Sequence, residues 1–535
     1  MLFNSFVFLF AFLPIALTGY FAIARIGHRK ATAWLLLASL VFYGWLNPAW
    51  VPLLLVSIAG NYGIACLLDA TRQRQAVRRW GLRFGVTANL LALIYYKYFV
   101  WLISLADSAG LLQITVPGIV LPLGISFFTF TQIGYLIDVY NDVTEDRDLL
   151  NYAVFVTFFP HLIAGPILHN RDIMPQFAAP RTYRYSARNM NVGLSIFIIG
   201  LLKKTLIADP TSAGVAEVFS NPSAVPLFTA WHAALSYSLQ LYFDFSGYSD
   251  MAIGLARMFN VRFPLNFNSP YKAQSVIDYW QRWHMSLTHY LTQYVYNPLT
   301  VWIMWRRVAR RLPINQVAQR TLRGFTTMIA FPVFVTIVLI GVWHGSGAQF
   351  VVFGLLHAAY LTVNRIWRLF YAPNELPRGL GILWRVALTY MCVLVGAVFF
   401  RAPSVAGAFS MLAGMAGLHG FGPALAVSDG MIGFFGNVGV WSRQHGLIYV
   451  ADRQTLVDTR GQIAWLLLLY GIVWGLPNTQ QTFIRFRPAL DTVEPGNPAW
   501  LRWQLTIVWA VVFGCLGTLE LMFLSGTGEF LYFQF

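Results

Sequence analysis

Apolar stretches of helical length recur from one end of this chain to the other, and no other feature restricts its fold so strongly. A stretch such as TMIAFPVFVTIVLIGVWHG, ending at Gly345, is long enough as a helix to cross a hydrocarbon layer of about 30 Å. Of 535 residues, 57% are hydrophobic and 11% charged, whereas a water-soluble domain carries about a quarter of its residues charged. Such a chain cannot cover itself for water. Most runs are too long and too uniformly apolar for barrel strands. An all-α polytopic membrane protein is therefore expected, with about 11 to 14 membrane segments, residues 276–299 among them.

Two segments depart from plain lipid-facing helices. Residues 119–137 open beside Pro117 and Pro122 and carry Gly124 and Gly134. Residues 150–169, NYAVFVTFFPHLIAGPILHN, contain Pro160, His161, Gly165 and Pro166. Broken or re-entrant backbone is tolerated at membrane depth only where protein or water lines it. The first run, 4–24, has no basic residue ahead of it and is expected to be a mature helix rather than a cleaved leader. The weakly apolar stretch 404–460, with Gly, Ser and Asp throughout, is expected to form an outer cap with short helices. No internal repeat, heptad or independent soluble domain is visible.

A net charge of +16 would suit nucleic acid, but its distribution does not. The basic residues collect in short loops between apolar runs, at 25–30, 72–83 and 306–323. That is the positive-inside pattern of cytoplasmic loops, with anionic lipid or an acidic partner as alternative readings. The first two clusters should share one side of the membrane. The chain then rises through 325–342, turns near 343–347 and descends through 348–364, which sets GVWHG toward the far side or in a cavity. Three cysteines, Cys66, Cys392 and Cys515, lie far apart in apolar runs and suggest neither a disulfide framework nor a metal site.

Polar groups interrupt the apolar runs where lipid would not accept them. His344 closes the run quoted above, and a buried imidazole needs a partner or a task. In LFTAWHAALSYSLQLYFDFSGYSD, 227–250, Asp244, Asp250 and Tyr248 crowd one expected helix end. In DYWQRWHMSLTHYLT, 278–292, Arg282 stands four residues after Asp278, and His284 lies among aromatic residues. Any one histidine taken alone reads best as an interfacial anchor or a satisfied core group. Several such clusters together point to a shared aqueous or substrate cavity. A transporter path explains them equally well. No Walker loop, Rossmann fingerprint, HExxH site or nucleophile elbow is present. His344 and His357 have no third ligand at suitable spacing, so no metal is expected.

Long ordered matches then carry a resemblance. They are MLFNSFVFLFAFLPI at the start; LPLGISFFTFTQIGYLIDVY, 121–140; FFPHLIAGPILH, 158–169; and LQLYFDFSGYSDMAIGLARMFNVRFPLNFNSPY, 239–271. They continue with YWQRWHMSLTHYL, 279–291; GVWHGSGAQFVVFGLLHAAY, 341–360; and VFFRAPS, 398–404. With these the chain resembles the membrane-bound O-acyltransferase family, in the bacterial branch of alginate O-acetylation and teichoic acid D-alanyl transfer proteins. The resemblance implies one integral membrane domain over 1–535, a ring of tilted helices, and two funnels meeting at a central histidine. It assigns that histidine to His344 and a second one to His284. It implies acetyl-CoA as donor and an acceptor outside the cytoplasm. It also implies a secreted or membrane-anchored SGNH-type acetyltransferase as partner, alongside a polysaccharide synthase or export complex in the bacterial inner membrane. His161, Asp244, Tyr248, Asp250, Arg282, Trp343 and His357 become candidates for the pocket or tunnel wall. Arg306, Arg307, Arg310 and Arg311 become candidates for attracting the phosphates of CoA.

The segment GTGEFLYFQF, 526–535, is aromatic where chain ends are ordinarily polar. It matches an engineered ENLYFQ cleavage sequence imperfectly, with Phe530 in place of the Asn. It resembles tails of the same bacterial branch, which implies Tyr532 as an acyl relay, or the tail as a partner-docking strand. A transporter without catalysis and a membrane scaffold for a secreted transferase remain the competing classes.

Overall fold

The computed structural model describes residues 1–111, 118–144, 146–212, 214–371, 379–421, 425–427, 440–441, 444, 448–450, 453–494, 496, 498–524 and 530–531. Six helices in it are long and apolar enough to cross a membrane: Trp50–Ala70, Gln75–Ser108, Ala187–Thr211, Leu322–His344, Ala348–Phe370 and Leu380–Arg401. Shorter apolar helices run over Phe8–Ala24, Val405–Met415, Gly461–Gly475 and Ile507–Phe523. The protein is an all-α polytopic membrane protein.

The centre is held by a different kind of helix. Leu227–Met258 is 32 residues long, and from Ser236 to its end every side chain except Gln240 is buried. Polar residues inside it, Asp244, Asp250 and Arg257 among them, would be costly against lipid, so this helix is wrapped by protein. Its main neighbour is Ala187–Thr211, running antiparallel. A Cβ on Gly200 would come within 2.6 Å of the Gly247 carbonyl oxygen, and one on Gly254 within 2.6 Å of that of Gly193. Glycine at these four positions lets the two backbones touch, the usual way membrane helices approach closely. The segment flagged for its prolines becomes the buried helix Ile125–Tyr140, which starts after Gly124 in a left-handed turn (φ 76°).

Two sequence expectations need correction. Residues 276–299 do not form one span. They break into Val276–Trp280, a turn, and Met285–Leu291, which runs on through a π-turn into Asn297–Ala309. The break follows from backbone pairing with another segment. Phe267 and Trp283 form an antiparallel bridge, the Asn268 N–H donates to the Arg282 carbonyl at 2.9 Å, and the Met285 N–H donates to the Asn266 carbonyl at 3.0 Å. Asp244 and Asp250 lie inside a continuous helix, not at its end, because lysines from the neighbouring helix, Lys204 buried and Lys203 partly so, neutralise them there. In 404–460 the described residues include, besides the helix Val405–Met415, a two-stranded parallel pair of Leu425–Val427 with Ile448–Val450.

The first two basic clusters meet one acidic loop. Arg29 pairs with Asp148 at 3.1 Å, and Arg78 makes a forked contact with Asp142 at 2.7 and 3.0 Å. Both clusters therefore sit at the same end of the molecule. The Arg78 guanidinium holds the Asp142 carboxyl below the usual carboxylate range.

Candidate active site

The helix Leu322–His344 stops at the histidine because Gly345 turns into extended backbone, and the next helix begins at Ala348. A helix end leaves carbonyls without intrahelical donors. Here Lys97 Nζ donates to the carbonyls of Trp343 (2.6 Å) and His344 (3.1 Å), and the Tyr98 hydroxyl donates to that of Val342 (2.7 Å). Lys97 and Tyr98 come from a π-turn, Ile94–Tyr98, within Gln75–Ser108. A cation at a helix C-terminus also complements the helix dipole. The backbone under His344 is thus clamped from a second helix, while its ring is left to other contacts.

Those contacts are aromatic. The His344 ring lies 4.9 Å from Trp343, 5.0 Å from Phe400 and 6.3 Å from Phe353, between centroids. The imidazole of His284 is 6.2 Å away. His344 and His357 both line a cavity of about 30 Å³ with Phe245, Tyr279, Trp283 and Phe400. That volume admits a water or two and no acyl group.

His284 is held in the opposite manner. It is fully buried and adopts a left-handed backbone (φ 43°, ψ 52°) just before Met285–Leu291. A non-glycine residue there is uncommon and marks a position the surroundings enforce. Its Nδ1 lies 2.9 Å from Asn266 Oδ1. The Ser286 hydroxyl donates to the same oxygen at 2.9 Å and the Ser286 N–H at 3.4 Å, while Asn266 Nδ2 donates to Ser249 at 3.1 Å. These contacts orient the amide with its oxygen toward the imidazole. Nδ1 must then carry the hydrogen, and in the neutral ring Nε2 carries the lone pair. Ser286 in turn accepts from the Ile167 N–H at 2.9 Å. The HLIAGP loop supports the site from behind in this way.

The remaining candidates divide. His357 accepts from Trp280 Nε1 at 3.3 Å, and a Cβ on Gly396 would fall 2.5 Å from its Nε2, so a helix passes directly over it. Trp280 belongs to a neighbouring groove of about 350 Å³ with Gln281, Met285, His289, Ile340 and Arg365. Tyr279 and Trp283 line the cavity while Trp280, Gln281 and Met285 line the groove, so the segment from Tyr279 to Met285 borders both. His161 is buried and bonds the Phe155 carbonyl at 2.8 Å, away from the cavity lining. Arg282 pairs with Asp278 at 2.6 Å in a half-exposed position. Asp250 binds Lys203 and Thr479, each at 2.6 Å. Asp244 binds Lys204 at 2.7 Å, and Tyr248 packs beside it against Phe3. Arg307 is buried and donates to the Pro313 carbonyl and Thr327, which is a structural role. Arg306, Arg307 and Arg310, with Arg323, line a separate groove of about 440 Å³; Arg311 does not. Tyr532 lies outside the described residues. Among the described residues no group of three His, Cys, Asp or Glu is placed to hold a metal.

Sequence reasoning did not single out Asn266, Lys97, Tyr98, Lys203 or Lys204. For Lys97 the signal was present: a lysine in NLLALIYYKYFVWLIS is as anomalous in lipid as a histidine. Asn266 gave none, being one polar residue in a stretch of many.

Comparison with known proteins places the chain among its relatives. The sequence model of the membrane-bound O-acyltransferase family matches residues 139–307. A peptidoglycan O-acetyltransferase of Helicobacter pylori is 37% identical, over 78% of this chain and 80% of that protein. A probable alginate O-acetylase of Pseudomonas fluorescens is 36% identical, over 94% of this chain and 87% of that one. A teichoic acid D-alanyltransferase of Bacillus subtilis is 27% identical over 45% of this chain and 58% of its own length. By sequence along most of its length, the chain belongs to the membrane-bound O-acyltransferase family and is a membrane-bound acyltransferase.

Proposed function

We propose that this protein moves an acetyl group from cytoplasmic acetyl-CoA across the membrane for O-acetylation of a polysaccharide outside the cytoplasm. The observation that carries the chemistry is the pairing of His344 and His284, 6.2 Å apart, with one ring facing a cavity and the other fixed in one tautomer. The relatives named for peptidoglycan and alginate acetylation support the class of acceptor.

In this reading neutral His344 takes the proton of an acceptor hydroxyl as its oxygen attacks the thioester carbonyl. The tetrahedral intermediate collapses, the carbon–sulfur bond breaks, and the CoA thiolate leaves and is protonated from the imidazolium. General-base catalysis of this kind contributes about 10²–10⁴-fold. His284, with its Nδ1 hydrogen on Asn266, offers a lone pair at Nε2; it orients the hydroxyl rather than donating to an oxyanion. The groove lined by Gln281, His289 and Arg365 suits the donor's arm, and Arg306 and Arg310 its phosphates. A cavity of about 30 Å³ admits no thioester, so the segment from Tyr279 to Met285 between cavity and groove moves when donor enters. The acceptor hydroxyl is that of Tyr532, which passes the acetyl group to an SGNH-type partner acting with the polysaccharide machinery at the inner membrane.

Reconstitution with labelled acetyl-CoA tests the whole reading. Label on a tyrosine ester, or on partner and glycan, together with release of CoA thiol, is the expected result. CoA release unchanged in folded His344→Ala protein would reject it.

A further inference from the structure

Beyond the last apolar helix, residues 530 and 531 are buried in the protein. Phe530 is 1% exposed and Leu531 6%. The Phe530 ring packs edge-on against Tyr248 at 4.7 Å, and Lys204 Nζ stands 4.7 Å over its face. The Leu531 N–H donates to Asp244 Oδ2 at 3.0 Å. Asp244 gives its other oxygen to Lys204 at 2.7 Å, and Lys204 also binds Asp209 at 2.8 Å. Lys204, Asp244 and Tyr248 are all buried, and Phe3 closes the far side of Tyr248.

A buried ion pair is weak evidence for stability, because desolvation offsets much of the attraction. Burying one in a membrane protein makes physical sense where it does something an apolar pair would not. Here it presents a carboxylate oxygen to a main-chain N–H and an ammonium to a ring face. Hydrogen bonds to charged groups and desolvated cation–π contacts are among the stronger polar interactions. Both recognise a short aromatic segment in one register only. The location matters as well. Phe245, next to Asp244, packs edge-on against the His284 ring at 4.8 Å and lines the His344 cavity.

We propose that Lys204, Asp244 and Tyr248 form a receptacle that registers the 530–531 segment, so that Tyr532 starts from a fixed point beside the helix bordering His284. These are positioning residues. The role given to Tyr532 rests on the function proposed above; the receptacle itself does not.

The test uses the full chain with Cys66, Cys392 and Cys515 replaced by Ala and a nitroxide label on Phe535→Cys. The label should be immobilised in the parent. Phe530→Ala and Asp244→Asn should each lower the docked fraction, read as a gain in label mobility and about a tenfold loss of tail occupancy. Because an internal change such as Asp244→Asn risks misfolding, a second arm leaves the protein intact. A free peptide of residues 525–535 is added to the parent and should release the label. The same peptide with Phe530→Ala, or N-methylated at Leu531 so that Asp244 has no N–H to accept, should not. A label equally mobile in parent and Phe530→Ala, or equal displacement by all three peptides, overturns the proposal. A Tyr532→Phe peptide should displace the label as well as the unaltered one. Tyr532→Phe protein that docks its tail yet transfers acetyl normally would instead overturn the relay and leave the receptacle standing.

Discussion

His344 and His284 stand 6.2 Å apart, yet they are built on opposite plans. His344 is fixed through its backbone, by Lys97 and Tyr98 on the last carbonyls of its helix, and its ring sits among aromatic side chains at a cavity. His284 is fixed through its ring, by Asn266, and its backbone takes a left-handed conformation to allow it. A group that must meet a reactant and exchange a proton needs a ring that borders a cavity, on a rigid support. A group that must present one tautomer needs a held ring. In the reaction proposed above, that contrast goes with proton transfer at the first and orientation at the second.

That contrast can be broken outright at His344. Replacing it with Ala should lower acetyl transfer about 10²–10⁴-fold without loss of folded protein, as followed by thiol release and thermal unfolding. A drop below about tenfold would move the base to His284. Asn266→Ala comes next. It strips the acceptor from His284 and Ser286, a change of about 1–3 kcal/mol, or roughly 5- to 150-fold in rate if it falls on the transition state. The expected signature is a fall in kcat that Asn266→Asp, which keeps an acceptor oxygen, partly restores. Equal activity of the Ala and Asp variants would mean the tautomer is immaterial.

Lys97→Met sharpens the other half of the comparison. It keeps the side chain's length but withdraws donors from two carbonyls, at about 1–3 kcal/mol of stability. Transfer should fall with it, and Lys97→Arg should recover part of both. A Lys97→Met protein melting with the parent would show that the helix end needs no clamp. The smallest difference is expected in the basic cluster. Arg307→Gln should destabilise by about 1–3 kcal/mol because its partners are buried. Exposed Arg310→Gln should stay within about 0.5 kcal/mol and act only on the apparent KM for acetyl-CoA. Identical KM values would remove the 306–310 groove from the donor's path.

Much of this protein was legible in its residues. Recurrent apolar runs dictate a helical membrane protein, since a backbone in lipid must satisfy its own hydrogen bonds. The positive-inside pattern anticipated that the 25–30 and 72–83 clusters share an end, and both meet the loop of Asp142 and Asp148. His344 and His284 stood out by the cost of burying imidazole. Local pattern could not reveal what holds them. The 276–299 run reads as one span by its length, yet pairing with 266–268 breaks it at His284. Asn266, Lys97 and the Lys204–Asp244 receptacle are contacts between residues 18 to 287 positions apart. Hydrophobic patterning records which side chains avoid water; only the folded chain decides which buried polar groups find one another, because each such partner is chosen by three-dimensional packing and not by neighbours in sequence.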